Sequence, residues 1–344
     1  MNDNKKLNLL LAVFGSFVGI GLGLLGGYLA KDILFKPPAG SSFESTKDLR
    51  KAITEAEQVD PNKNATLRSL FNPHPSDEII YVLKPNLNLK FQDAAVKTNS
   101  FGMRNEELPL EKQKNTYRIA LLGDSFAFGW GVEYKQSFAY LIQEMLNQLT
   151  NGKPKVEVLN FGIPGYSTFQ EVANYLEQGQ KFNPDAVLLY FVDNDFGLPF
   201  FIRNFEHPED LLGSRMIHQL KNDSDNGGKY HQFINAMDPN KHILKLYTDC
   251  KQKNIPLFVA INPNRKAVMM RDQLWSIKNT PEINLLWLRD ELLQRVKSEN
   301  IDIKTLTLPN DPHPSPKSHR ILAEMMSNQI YGLSKFAQQD SMHH

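Results

Sequence analysis

At 344 residues, 41% hydrophobic and 22% charged, the chain suits one large or two ordinary domains with a real core. A net charge of +1, with scattered basic residues and no aromatic–basic groove pattern, argues against a nucleic-acid partner. The single cysteine, Cys250, excludes an intramolecular disulfide and a multi-cysteine metal site; with no H-E-x-x-H and no acid-backed histidine pair, neither a metal nor a cofactor is expected.

Residues 1–6 read as a short cytoplasmic terminus. From Leu7 to Ala30 the chain carries no charge. As a helix this stretch is about 36 Å long, enough to cross a hydrocarbon core of about 30 Å with some tilt. Lys5 and Lys6 in front of it favour a cytoplasmic amino terminus. The apolar stretch is too long for a usual signal core, and Tyr28-Leu29-Ala30 is a poor cleavage site, so 7–30 is expected to be an uncleaved signal anchor. The chain beyond residue 30 is then expected to be extracytoplasmic, in the periplasm or on the cell surface. Gly15, Gly19, Gly23 and Gly27 fall on one face of this helix, which permits close approach of a partner helix.

Residues 31–66, with Pro37-Pro38 and Gly40-Ser41-Ser42, read as a stalk, with a short helix around Thr46 to Gln58. Residues 67–116 read as an extended addition to the main domain. Ile79 to Leu83 is strand-like, Lys84-Pro85-Asn86 a turn, and Leu87, Leu89 and Phe91 alternate with period two. Arg104 closes the addition, either as part of that layer or near a site where it would hold an anionic substrate group.

The main domain is expected over 117–335, with a tail at 336–344. Ile119 to Leu122 is an apolar strand broken at Gly123-Asp124-Ser125, and Gly129 and Gly131 mark a loop. Ser137 to Leu149 has a helical apolar period; Val156 to Phe161 is a strand ending in Asn160-Phe161-Gly162, and Phe169 to Gln180 a helix. Ala186 to Val192 is unbroken and apolar, as for a strand buried on both faces, and ends in Asp193-Asn194-Asp195. Residues 196–240 interrupt the alternation as a lid or a peripheral insertion. A helix over Lys241 to Lys253, a strand over Ile255 to Ile261, a helix over Pro281 to Glu299 capped by Thr280, a last strand over Ile301 to Leu308 and a helix over Ser315 to Tyr331 complete the chain. This alternation implies right-handed β-α-β units and a mostly parallel sheet with helices on both faces.

Four stretches at expected strand ends carry polar groups suited to one reaction. Ser125 offers a hydroxyl, Gly162 an unobstructed backbone amide, Asn194 a side-chain amide, and His313 an imidazole preceded by a carboxylate. Acyl transfer by a serine needs these parts: a base for the hydroxyl proton, an acid to fix the base's tautomer, and donors for the oxyanion. His319, His218, His231 and His242 read as structural.

In chain order, Gly-Asp-Ser followed by Phe, Asn-x-Gly, Asn-Asp and Asp-x-His-Pro resemble the SGNH/GDSL hydrolases over about Tyr117 to Tyr331. The resemblance implies a flavodoxin-like three-layer α/β sandwich. It also implies Ser125 as nucleophile, His313 as general base, and an oxyanion hole from the Ser125 and Gly162 amides and the Asn194 side chain. The upstream L-K-P-N and T-N-S-F-G-M-R runs look similar to bacterial membrane-anchored members acting on envelope polysaccharide or lipid esters. Two departures stand out. Asn310 occupies the place usual for the acid, so either Asp311 orients His313 or Asn310 does so weakly. A glycine usual before the Asn-Asp pair is replaced in Val192-Asp193-Asn194-Asp195, which sets two carboxylates beside the expected donor Asn194. The expected activity is hydrolysis of an O-acyl ester of a small molecule, lipid or envelope polysaccharide. The alternatives are an O-acyltransferase using the same site and a non-catalytic glycan-binding or assembly component.

Overall fold

The computed structural model describes Arg50, Ile53, Thr54 and residues 64–197 and 237–333. The expected anchor 7–30, most of the stalk, the bulk of the insertion 196–240 (with His218 and His231) and the tail 336–344 lie outside these residues. Among the described residues no helix is long and apolar enough to cross a membrane.

The chain opens with two small antiparallel pairs, β1 (Phe71–Pro73) with β2 (Tyr81–Leu83), and β3 (Asn88–Phe91) with β4 (Ala94–Lys97). The first is shorter than the expected strand from Ile79, because Ile80 takes a left-handed backbone (φ 68°). Gln92 and Asp93 join β3 to β4 with φ of 50° and 61°, the double left-handed turn that suits a tight hairpin.

The central elements are β5 (Thr116–Leu122), α1 (Ser125–Phe128), α2 (Phe138–Leu149), β6 (Lys155–Asn160), α3 (Thr168–Glu177) and β7 (Ala186–Phe191). Beyond the insertion come α4 (Pro239–Gln252), β8 (Leu257–Ile261), α5 (Ala267–Gln273), α6 (Trp275–Lys278), β9 (Asn284–Trp287), α7 (Arg289–Ser298), β10 (Thr307–Leu308), β11 (Asp311–Pro314) and α8 (Pro316–Leu333). The strands β6-β5-β7-β8-β9 form one parallel sheet in that order. Numbered within the sheet this is 2-1-3-4-5, the flavodoxin-like order, with its switch in winding at β5.

Side-chain alternation explains the layering. Ile119 and Leu121 of β5, with Leu188 and Tyr190 of β7, face one core shared with α2 and α8. Ala120, Leu122, Val187, Leu189 and Phe191 face the other, shared with α3, α4 and α5. Every residue of β7 is buried, as expected of a strand covered on both sides. A third cluster joins the N-terminal addition to the site: Phe71, Tyr81 and Phe91 pack with Phe128, Ile163 and Tyr166.

Two expectations are corrected. The helix expected over Pro281 to Glu299 is the edge strand β9 followed by α7. No glycine or proline separates them, so the apolar residues of the strand merge with the helical period. Leu288, in a helical conformation, makes the transition. The strand expected over Ile301 to Leu308 is a 3-10 turn (Ile303–Leu306) followed by two residues of β10, which pair antiparallel with β11. The sheet edge is already held by β9, and the Asp302 side chain accepts from Lys304 N–H and starts a turn instead. His313 therefore arrives on a small hairpin, not at the end of a sheet strand.

Candidate active site

At the end of β5 the chain turns into α1. Asp124 caps this short helix, its side chain accepting from Phe126 N–H at 2.9 Å. Ser125 is the first helical residue, so its own N–H has no acceptor within the helix. Its side chain sits at the carboxyl end of the sheet beside the switch point. Gly129 ends the helix in a left-handed conformation (φ 84°), where a side chain would meet Arg104 and Ser137 at 3.0 Å.

The β10–β11 hairpin brings the base across. His313 Nε2 lies 2.8 Å from Ser125 Oγ, and Nδ1 lies 2.5 Å from Asp311 Oδ1. The same Asp311 oxygen accepts from His313 N–H at 2.8 Å, which fixes the carboxylate against its own ring. Burial works against the charge on Asp311, but the hydrogen bonds from His313 and Trp130 outweigh it and hold the carboxyl below its ordinary pKa. Asn310 takes φ 59° as a turn residue of the hairpin, a conformation Asn tolerates better than most. Of the two candidates it is Asp311, not Asn310, whose carboxylate meets the ring. So arranged, the His313 ring faces Asp311 through Nδ1 and the Ser125 hydroxyl through Nε2.

The oxyanion side is more constrained than expected. Asn194 Nδ2 donates to Asp124 Oδ2 at 2.8 Å, which orients the carboxamide, and among the described residues its second N–H meets no acceptor. Gly162 departs from expectation: its N–H is not free but donates to Asn160 Oδ1 at 2.9 Å. The Asn160 amide in turn donates to Ala127 O at 2.9 Å, stapling this turn to α1. The glycine is required by close approach, since a Cβ there would stand 2.4 Å from Phe128 N and 2.6 Å from Ala127 C.

The acidic residues flanking Asn194 have partners of their own. Asp193 is turned away into an ion pair with Lys266 at 2.5 Å and accepts from Asn264 at 3.1 Å. Asp195 is buried and accepts from Val192 N–H at 2.7 Å, and desolvation together with the nearby Asp124 pushes its carboxyl well above the ordinary range. Glu171 is raised in the same way, by burial and by Asp195.

Arg104 is not a substrate clamp. It is buried, and its guanidinium donates to the carbonyls of Ala95, Phe128, Gly129 and Val132, clamping the loop after α1. Burial draws its pKa down to about 10. His319 is structural, as expected: it is buried, and its Nδ1 accepts from Phe138 N–H at 3.1 Å. His242 packs its ring against Phe169. Residues that sequence reasoning passed over are Asp124, Asn160 and Trp130. The first two lie inside the G-D-S and N-x-G motifs, so their positions were available. Trp130 gave no local signal, because its partner is far off in the chain.

Residues 121–321 match the GDSL-like lipase/acylhydrolase family, more than half of the chain. The chain belongs to that family. It is therefore an ester-hydrolysing enzyme, and the matched span runs from β5 to α8. No curated protein matches the chain. Among solved structures it is similar to an acetyl xylan esterase, AlAXEase, at 16% identity, with 62% of this chain and 99% of that one covered and a TM-score of 0.43. It is also similar to a lipase/acylhydrolase from Enterococcus faecalis (12% identity, 63% and 96% covered, TM-score 0.42). LAE5, an alpha/beta hydrolase from the metagenome of Lake Arreo, is a third (13% identity, 63% and 96% covered, TM-score 0.44). At these identities the family match carries the assignment, not the superpositions.

Proposed function

We propose that this GDSL-family enzyme is a membrane-anchored serine esterase that removes an O-acyl group, acetyl in the simplest case, from a glycan or lipid of the cell envelope. The observation that carries the reading is the line from Ser125 Oγ to His313 Nε2 (2.8 Å) and from His313 Nδ1 to Asp311 (2.5 Å). In this reading His313 takes the Ser125 proton as the oxygen attacks the ester carbonyl, and Asp311 stabilises the imidazolium that forms. The Ser125 N–H and the second Asn194 N–H stabilise the oxyanion; Gly162 N–H contributes by sharing its hydrogen with Asn160. His313 then returns the proton to the leaving alcohol. A water activated by the same imidazole resolves the acyl-enzyme.

The envelope location rests on the uncharged stretch 7–30 behind Lys5 and Lys6. The substrate class rests on that location and on the resemblance of the L-K-P-N and T-N-S-F-G-M-R runs to membrane-anchored members. Ser125→Ala tests the chemistry: turnover of p-nitrophenyl acetate is lost while the thermal midpoint stays near that of the wild type. Retained turnover would remove Ser125 from the mechanism.

A further inference from the structure

We propose that Trp130 is a positioning residue for the catalytic base, and that the N-terminal addition holds it in place. This inference rests on the reading of His313 as the base. Trp130 Nε1 donates to Asp311 Oδ2 at 3.1 Å, the carboxylate oxygen that His313 leaves free. Its indole lies against the imidazole, with ring centres 4.7 Å apart and planes 12° from parallel. One side chain thus restrains both members of the pair: the hydrogen bond stops the carboxylate from turning, and the stacked face stops the imidazole from rotating out of line. The restraint matters because His313 sits on a short hairpin outside the main sheet and is partly exposed.

Trp130 is itself fixed from three sides. Its backbone N–H donates to Ser125 O at 3.1 Å, tying it to the nucleophile helix. Phe91, at the tip of the β3–β4 hairpin, meets its ring edge-on at 4.7 Å. Arg104 holds the carbonyls of Gly129 and Val132 on either side. The addition thereby reaches the base through Phe91 and Trp130. The stacked indole also offers its negative face to the imidazolium, a species present only once the proton has moved. An interaction made only in the transition state acts on kcat and not on KM.

The test compares Trp130→Phe, Trp130→Leu and Phe91→Leu in the purified full chain. It measures kcat and KM for p-nitrophenyl acetate, the rate of inactivation by a fluorophosphonate, and the downfield proton resonance of the His313–Asp311 hydrogen bond. Trp130→Leu is expected to lower kcat by about 100-fold, as for a misplaced reacting group. KM stays unchanged, inactivation slows by a similar factor, and the downfield resonance is lost. Trp130→Phe, which keeps a ring but loses the N–H donor, falls between Leu and wild type, and Phe91→Leu lowers kcat with KM unchanged. Unchanged kcat in Trp130→Leu, or a raised KM at constant kcat, overturns the proposal, the latter by making Trp130 a substrate contact. If Trp130→Leu does not fold, Trp130→Phe decides, and a wild-type kcat and resonance there overturn it. Failure of the underlying reading shows separately, as fluorophosphonate labelling that persists in Ser125→Ala.

Discussion

Acid should destabilise this protein through one buried histidine, and the surroundings of that residue set the size of the effect. His319 is 1% exposed, accepts from Phe138 N–H through Nδ1 and packs against the Phe138 ring at 5.2 Å. Burial, with smaller contributions from the charges of Arg104 and His313, pushes its pKa from 6.5 down to about 3. The folded pKa of this base lies below the unfolded one. Between those values the unfolded chain binds a proton that the folded chain refuses, so stability falls as the pH drops through that window and is flat above it. From pH 7.5 to 4.5 the unfolded form is stabilised by about two decades of proton binding, or about 3 kcal/mol. The perturbation is His319→Asn, whose amide oxygen can take the place of Nδ1 as the acceptor for Phe138 but does not titrate. Urea denaturation of both proteins at the two pH values reads the effect. The wild type should lose about 3 kcal/mol more than the variant on acidification. Equal losses would refute the reasoning, whatever the absolute stability of the variant.

Two further predictions address the site. Gly162→Ala places a Cβ against the backbone of Ala127 and Phe128; overpacking of this kind costs about 1–3 kcal/mol, so the thermal midpoint drops by several degrees and kcat falls with it. An unchanged midpoint would contradict the close approach. Asp311→Asn can present an N–H to His313 Nδ1 and so favour the tautomer that cannot accept the Ser125 proton; kcat should fall by about 10³–10⁴-fold. Asn310→Gly, which keeps the left-handed turn, should change kcat by less than about twofold. The reverse ranking in the same kinetic assay would make Asn310 the orienting residue.

The features legible in the sequence and those hidden in it divide along the range of the forces involved. The apolar run Ile119 to Leu122, the Gly-Asp-Ser break and the fully buried β7 are written in local pattern, so the sheet, its two faces and the position of Ser125 could be read directly. His313 was also legible, while its acid stayed open between Asp311 and Asn310, because the sequence does not show which of the two turns to the ring. The β9 strand was not, since four apolar residues joined to a helix without a breaker look helical until β8 pairs with them. The last strand was misread for the converse reason: Ile301 to Leu308 has strand-like composition but no sheet edge left to join. The state of the Gly162 amide is hidden as well, because the sequence shows a glycine's freedom but not the Asn160 side chain folded back onto it. Trp130 was invisible, since its role depends on Asp311, 181 residues away. Asn310 takes the left-handed turn position of the hairpin, and it is Asp311, one place on, that meets the His313 ring.

The central claim is that Ser125 is the residue that becomes acylated. The most direct measurement is to react the purified protein with a fluorophosphonate and map the modified residue by peptide mass spectrometry. One adduct is expected, on Ser125, absent from Ser125→Ala and slowed in Asp311→Asn. An adduct on another residue, or none on a protein that hydrolyses p-nitrophenyl acetate, would contradict the claim.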